Sequence, residues 1–268
     1  MGIIGHYGSV LASGPPVSGL PLSGPTNVSG ATLTLAGVVC MGGRTDAGPP
    51  VPGVSLQVPP GQSVALLSQP ASDAADLLDV VAGLRRPRSG QVSVDEVAVS
   101  RLSGPGLDRY RAGRGLLSAR FPLLPSLSVT DNVLAALLSG RVGPAVRERA
   151  AQLLAMTGAA HLAASPVGTL PAEQQWRILI ARALLPLPRL MLAEDPTPVL
   201  DSRSATAILD LLMDAHALFG FTLLLTTGRL ATAIRCQRLV TLVDGVVAGD
   251  ELVSGDDAWT RGRIDRVG

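Results

Sequence analysis

The strongest constraint on this chain is a set of short apolar runs with almost no polar interruption, separated by stretches of helical spacing. Residues 63–67 (SVALL), 188–195 (PRLMLAED) and 221–227 (FTLLLTT) each have the length of one strand. A strand that is apolar on both faces must be covered on both faces, as parallel strands flanked by helices are. Helical spacing is found between the runs, at residues 73–83, 171–185 and 202–218. The alternation predicts an α/β fold on a mostly parallel sheet.

The rest of the chain fits around that core. Residues 1–30 are rich in Gly, Pro, Ser and Val without periodicity, and are expected to form a flexible tail. Order is expected from Ala31, where ATLTLAGVV has strand character, followed by a strand at 54–58, a turn at PPGQ, and a returning strand in SGQVSVD. Residues 128–160 have helical spacing through Val133, Leu134 and Leu137, with Ser128 or Thr130 as the cap. The helical block over about 120–185 reads as a subdomain inserted in a domain spanning 31–250. RLVTLVDGVV closes the domain as a strand pair, and 251–268 form a second tail. No internal repeat is found.

Composition narrows the function. Apolar residues make up 47% of the 268 and mean hydropathy is +0.37, yet no apolar run reaches the roughly 18–20 residues that span a bilayer. A protein without a membrane span but with an apolar interface is expected, docked on membrane-embedded partners. The net charge of +1 gives no case for nucleic acid. Cys40 and Cys236 lack metal-ligand spacing and are expected as free thiols in a reducing cytosol, and the N-terminus carries no signal-peptide pattern. All 22 basic residues counted as Lys or Arg are Arg, so no lysine is present to contact a phosphate. High Ala, Gly and Pro make GC-rich codon usage the plain explanation, though codon usage does not ordinarily remove a catalytic lysine.

Separated segments, in order, resemble the ATP-binding subunits of ABC transporters over about residues 31–250. They are GQSVALLSQPASDAADLLDVVAGLRRPRSGQVSVD, FPLLPSLSVTDNV, and TLPAEQQWRILIARALLPLPRLMLAEDPTPVLDS, the last covering the family's signature helix, Walker B strand and D-loop. The LAEDPT wording is similar to the lipoprotein-release, macrolide-export and cell-division branch. The resemblance implies a P-loop NTPase-like fold with an inserted helical subdomain.

The resemblance fails where chemistry is due. A working phosphate loop needs glycines to wrap phosphate, a Lys for the β/γ oxygens and a hydroxyl for Mg²⁺. The corresponding stretch runs from Ser68, Gln69, Pro70 and Ala71 into Ser72, Asp73, Ala74, Ala75 and Asp76. Ala74 stands for the Lys and Ala75 for the Mg²⁺-binding hydroxyl. Asp73 and Asp76 put carboxylates at the helix start, where each would oppose a phosphate charge about 4 Å away by roughly 4 kcal/mol at an effective dielectric of ~20. As a plain structural role, both acids are expected to cap the helix. The signature L-S-G-G-Q becomes Leu170, Pro171, Ala172, Glu173, Gln174, with Pro and Glu suited to a first helical turn.

Other positions follow the same trend. The Q-loop glutamine is replaced by Ala119, the switch histidine by Thr227, and the adenine-stacking aromatic falls near Met41. His6, His161 and His216 are not placed to substitute. The Walker B acids are reversed as Glu194 and Asp195, and are expected to be a solvated remnant at a strand end. Two surfaces are kept. Leu200, Asp201 and Ser202 match the D-loop, where the family's subunits meet. Phe121, Leu123, Leu124, Pro125, Leu127 and Val129 match the segment that receives the membrane subunit.

The resemblance therefore implies a pseudo-ATPase: no catalytic residue, no metal, and no cofactor on this chain's own site. ATP and Mg²⁺ would be held by an active second ABC subunit, in a heterodimer docked on transmembrane permease subunits. The implied location is cytoplasmic, peripheral to the inner or plasma membrane. The alternatives are a divergent but working ATPase, in which Arg120 or Arg229 takes over the Lys role, and a soluble scaffold without transport.

Overall fold

A computed structural model of the chain describes residues 29–40, 53–69, 72–137 and 142–253, with only the backbone at Ser72 and Asp73. Both expected tails, save residues 29, 30 and 251–253, and the position near Met41 lie outside the described residues. Strands β1 (Leu33–Val39), β2 (Val54–Val58) and β3 (Ser63–Ser68) lead into helix α1 (Ser72–Val81). Strands β4 (Ser89–Val94) and β5 (Val97–Ala98), helix α2 (Gly104–Ala112) and strand β6 (Gly115–Leu117) follow. Helices α3 (Val129–Leu134), α4 (Pro144–Met156) and α5 (Ala172–Leu184) form the helical block. Strand β7 (Leu190–Glu194), helix α6 (Ser202–Phe219), strand β8 (Thr222–Thr227), helix α7 (Leu230–Ala233) and strands β9 (Arg238–Val243) and β10 (Val246–Leu252) complete the described chain.

The apolar runs do form the expected parallel sheet, in the order β10-β9-β3-β8-β7-β6, antiparallel only between β9 and β10. Its two faces are visible in β7 and β8. Leu190, Leu192 and Leu224 enter one core, and Met191, Ala193, Leu223 and Leu225 enter the other. Successive side chains of a strand point to opposite faces, so an unbroken apolar run feeds both cores. Each fully buried Leu contributes about 1.5–3 kcal/mol.

The first core lies under the helical block, with Trp176, Ile180 and Leu184 of α5 and Ile208, Leu212 and Ala215 of α6. The second is closed by α1, through Leu77, Leu78 and Val81, and by an antiparallel sheet in the order β2-β1-β4-β5. Sequence reading placed β1, β2 and β4 but not their separate antiparallel sheet. Strand character is local, whereas pairing depends on long-range contacts such as Leu35 opposite Val92. It also assigned no element between residues 99 and 117, where α2 and β6 lie. Alternation in β6 is only three residues long, and α2 is polar apart from a few positions, chiefly Tyr110, which is buried with its hydroxyl donating to the Val81 carbonyl.

Local signals explain the boundaries nearest the site. Ser128 is the N-cap of α3, accepting from the Asp131 amide. Asp201 caps α6 by accepting from the Arg203 and Ser204 amides at 3.0 Å each, and Gly220, with φ +70°, ends it in the left-handed region. No helix among the described residues is long and apolar enough to cross a membrane.

Candidate functional site

The β3–α1 junction, the carboxyl ends of β6, β7 and β8, and the start of α5 carry the residues singled out from the sequence. Open parallel sheets place ligand sites at such carboxyl ends. Pro70 and Ala71 lie outside the described residues, as does the side chain of Asp73. Ala74 is fully buried in the second core and Ala75 half-buried. These positions offer neither an ammonium nor a hydroxyl.

Asp76 was expected to cap α1. Instead its Oδ1 accepts from Arg85 at 2.9 Å, because the helix brings Asp76 alongside the arginine that follows its C-terminus. Arg85 Nε also lies 3.5 Å from Asp79 Oδ2. Asp79, 4% exposed, accepts two further bonds from Arg120, at 2.9 and 2.8 Å. The same guanidinium contacts Glu194 at the end of β7. Ser118, fully buried, donates its hydroxyl to Glu194 and accepts from the Arg120 amide at 3.0 Å. The Asp79 hydrogen bonds raise the Arg120 guanidinium further above its usual range against burial, with Glu194 adding to the effect. Three carboxylates (Asp76, Asp79, Glu194) thus share two guanidiniums (Arg85, Arg120), leaving a net negative charge.

The Walker B pair is therefore not the solvated remnant expected. Asp195 Oδ1 accepts from the Thr197 amide at 2.8 Å, and its Oδ2 accepts from the Thr227 hydroxyl. Thr227 also accepts from the Arg229 amide at 2.9 Å. Partly buried carboxylates need such partners, and neighbouring strand ends supply them. Ala119 and the Arg229 side chain are exposed, and Arg120, weighed as a stand-in for the missing Lys, is committed to Asp79 and Glu194.

At the start of α5, Pro171 is the N-cap residue with no side-chain cap bond, and Ala172 is exposed. Glu173 accepts from Arg177 at 2.9 and 3.2 Å and from the Ser204 hydroxyl at 2.9 Å. Burial alone would raise its carboxyl, but the Arg177 and Ser204 bonds hold it below the usual range. The same Ser204 hydroxyl lies 2.8 Å from Asp201 Oδ2, so its one proton is shared between Glu173 and Asp201. Asp201 is drawn below its usual range first by the Ser204 amide and then by the Ser204 hydroxyl. The signature-like helix and the D-loop are thereby tied within one chain. Leu200 packs on the first core, and Ser202 is exposed.

The segment over residues 118–128 is held at several points. Arg182 donates to the carbonyls of Pro122 (3.1 Å) and Phe121. Asn132, fully buried, accepts from the Leu124 amide at 2.6 Å and donates to the carbonyls of Leu124, Leu127 and Ser128. Leu123 and Val129 point into the core and Leu127 is half-buried, whereas Phe121 (38%), Leu124 (49%) and Pro125 are exposed. Only the last three can meet a partner directly.

Other candidates have structural roles. His216 sits 3.1 Å from the Gly61 carbonyl and edge-on to Phe221, its pKa lowered by burial against the opposing pull of that carbonyl. His161 is exposed, and His6 lies outside the described residues. Cys236 is buried, which pushes its thiol up to about 12 despite nearby Arg235; Cys40 is half-buried. Among the described residues no cluster of His, Cys, Asp or Glu is arranged to hold a metal. Sequence reading missed Asp79 and Ser118. The available signal was the lone acid in the run LLDVV of α1, an apolar stretch that tolerates a carboxylate only when it is paired.

The ABC transporter family model matches residues 51–198. The chain is 35% identical over 211 residues to a macrolide export ATP-binding/permease protein of Rhodopseudomonas palustris, covering 78% of this chain and 32% of the relative. It is 34% identical over 233 residues to a lipoprotein-releasing system ATP-binding protein of Anaeromyxobacter dehalogenans, covering 83% of this chain and 95% of the relative. The chain spans about a third of the length of the macrolide-export relatives it matches. A solved dimeric ATP-binding cassette, in a post-hydrolysis state bound to ADP and Pi, is similar at a TM-score of 0.72 and 27% identity, covering 83% of this chain and 99% of the other.

Proposed function

From the premise that the chain belongs to the ABC transporter ATP-binding family, we propose that it is a cassette subunit whose own nucleotide site no longer works. It acts as the structural or regulatory half of a transporter-like complex, paired with an active ATP-binding subunit. One observation carries this reading: the groups that would face Mg²⁺ and phosphate are bonded to one another. Arg120 joins Asp79 to Glu194, Thr227 holds Asp195, and Ala74 and Ala75 bring no ligand of their own. These residues do not fit Mg²⁺-ATP. The cluster is net negative before any phosphate arrives, and binding would require breaking bonds to Asp79 and Glu194 in a partly buried setting.

The partners are read from the exposed surfaces and the relatives. The macrolide-export relatives are named for an ATP-binding part joined to a permease, and similar cassettes are solved as dimers. Phe121, Leu124 and Pro125 are the part of the docking segment free to meet a transmembrane permease subunit, and residues 200–202 face the second cassette. The chain then works at the cytoplasmic face of the membrane, held there through its partners.

Calorimetric titration of the isolated chain with Mg²⁺-ATP tests the reading. No heat of binding is expected up to millimolar ATP, together with co-purification of an intact ATP-binding subunit and a permease. Micromolar binding that requires Mg²⁺ would overturn it in favour of a divergent ATPase. Retention of neither partner would favour a free scaffold.

A further inference from the structure

The ion-pair cluster does more than fill a space, because its central residue sits in the segment that carries the exposed apolar side chains. Arg120 directly precedes Phe121, and its guanidinium lies 5.9 Å from the centre of that ring. Backward, the Arg120 side chain spans from Glu194 on the sheet to Asp79 on α1, and its own amide is held by Ser118. The Phe121 amide donates to the Ser118 carbonyl at 3.3 Å. Forward, Arg182 and Asn132 hold the carbonyls of Phe121, Pro122 and Leu124. Of these anchors only the Arg120 one is ionic and half-exposed, its side chain 42% accessible while Asp79 is 5%.

We propose that Arg120 is a built-in latch: it fixes residues 118–124, and so the presentation of Phe121 and Leu124, by charge within the chain and independently of any nucleotide. The proposal rests on the reading that the site is internally filled and adds what that filling does. A guanidinium suits the role because its planar fork reaches two carboxylates at once, which an ammonium on a flexible stem does less well. Without it, Asp79 and Glu194 would have no cation between them, since of these two carboxylates Arg85 lies near Asp79 alone.

Amide hydrogen exchange of the full chain reads the latch directly at the Arg120 and Phe121 amides. Arg120→Gln is expected to speed exchange there about tenfold or more, while the amides of β3, β7 and β8 stay protected. Wild type is expected to show the same protection with and without millimolar Mg²⁺-ATP. Should Arg120→Gln unfold the chain throughout, Arg120→Lys carries the test. It keeps the charge but loses the fork, and is expected to raise exchange at the two amides by about threefold in a folded protein. Unchanged exchange in a folded Arg120 variant overturns the latch, as does ATP-dependent protection of these amides in wild type. The two readings fail separately. ATP that binds by calorimetry yet leaves these amides unaffected overturns the degenerate site and keeps the latch. Absent ATP binding with unchanged exchange in the Arg120 variant does the reverse.

Discussion

Two acidic sites lie at or beside positions that the resemblance assigns to the ligand site, and they are built differently. At the sheet end, Asp79 and Glu194 come from elements far apart in sequence and meet on Arg120, with Asp79 almost fully buried. At the start of α5, Glu173 is paired with Arg177 four residues along the same helix and reaches Ser204 on α6, in a more open setting. Both sites satisfy their carboxylates with internal partners. The first binds α1, the sheet and residues 118–124 together, so its loss should affect the whole fold. The second trims the surface of one helix pair, and its loss should remain local.

The comparison breaks most easily at Arg120. Arg120→Met is expected to lower stability to urea at pH 7 by about 2–3 kcal/mol, at or below the scale for removing one partner of a buried pair, because nearly buried Asp79 loses its main cation while the Arg120 side chain itself is half-exposed. Adding Asp79→Asn and Glu194→Gln to the same chain should recover most of that loss, since coupled residues are non-additive. A fully additive triple variant would mean that the three residues do not form a unit.

Restoring the missing lysine is the next test. Ala74 has no exposed surface, so Ala74→Lys is expected to cost about 1–3 kcal/mol through overpacking. It should still give no ATP-dependent rise in Tm, whereas ligand at a hundred times its Kd would add about 2.7 kcal/mol. A rise in Tm would show that one residue separates this chain from a working site.

The α5 site is sharpened by pH. Glu173 titrates below its ordinary value of 4.5 in the folded chain, so its contribution is present above that pH and lost as the pH falls through the lower folded value. Wild type should therefore lose stability below pH 4.5 more steeply than Glu173→Gln, with the two converging under more acidic conditions. At pH 7 the difference should be about 1 kcal/mol or less, as for other partly exposed pairs. Parallel acid profiles would mean that Glu173 has no net pairing.

The smallest effect is expected from Arg85→Ala. Its side chain is 54% exposed, and Asp79 keeps Arg120, so the change in urea midpoint should correspond to about 0.5 kcal/mol. A loss as large as that of Arg120→Met would move the centre of the cluster from Arg120 to Arg85.

Much of the fold was legible because its cause is local. Unbroken apolar runs of strand length become parallel strands covered on both faces, and Ser128 marks the start of α3 by short-range chemistry. The separate antiparallel sheet was not legible, since β1 is paired with β2 on one side and β4 on the other through contacts that no local pattern encodes. The site divides in the same way. The absence of lysine, of loop glycines and of the switch histidine is a fact of composition and order, open to direct reading. Where the remaining charges go is not.

From the sequence alone, the acids looked like separate features: helix caps at Asp73 and Asp76, and a solvated remnant at Glu194 and Asp195. Tertiary structure decided that Asp76 pairs with Arg85, that Glu194 meets Asp79 through Arg120, and that Thr227 closes on Asp195. The sequence by itself determined which residue types this chain lacks and which strands build its core, because composition and periodicity are properties of neighbours along the chain. Only the fold could decide how the leftover charges are satisfied, because a half-buried carboxylate takes the partner that packing places within reach, and that partner can lie 76 positions away, as Ser118 does from Glu194.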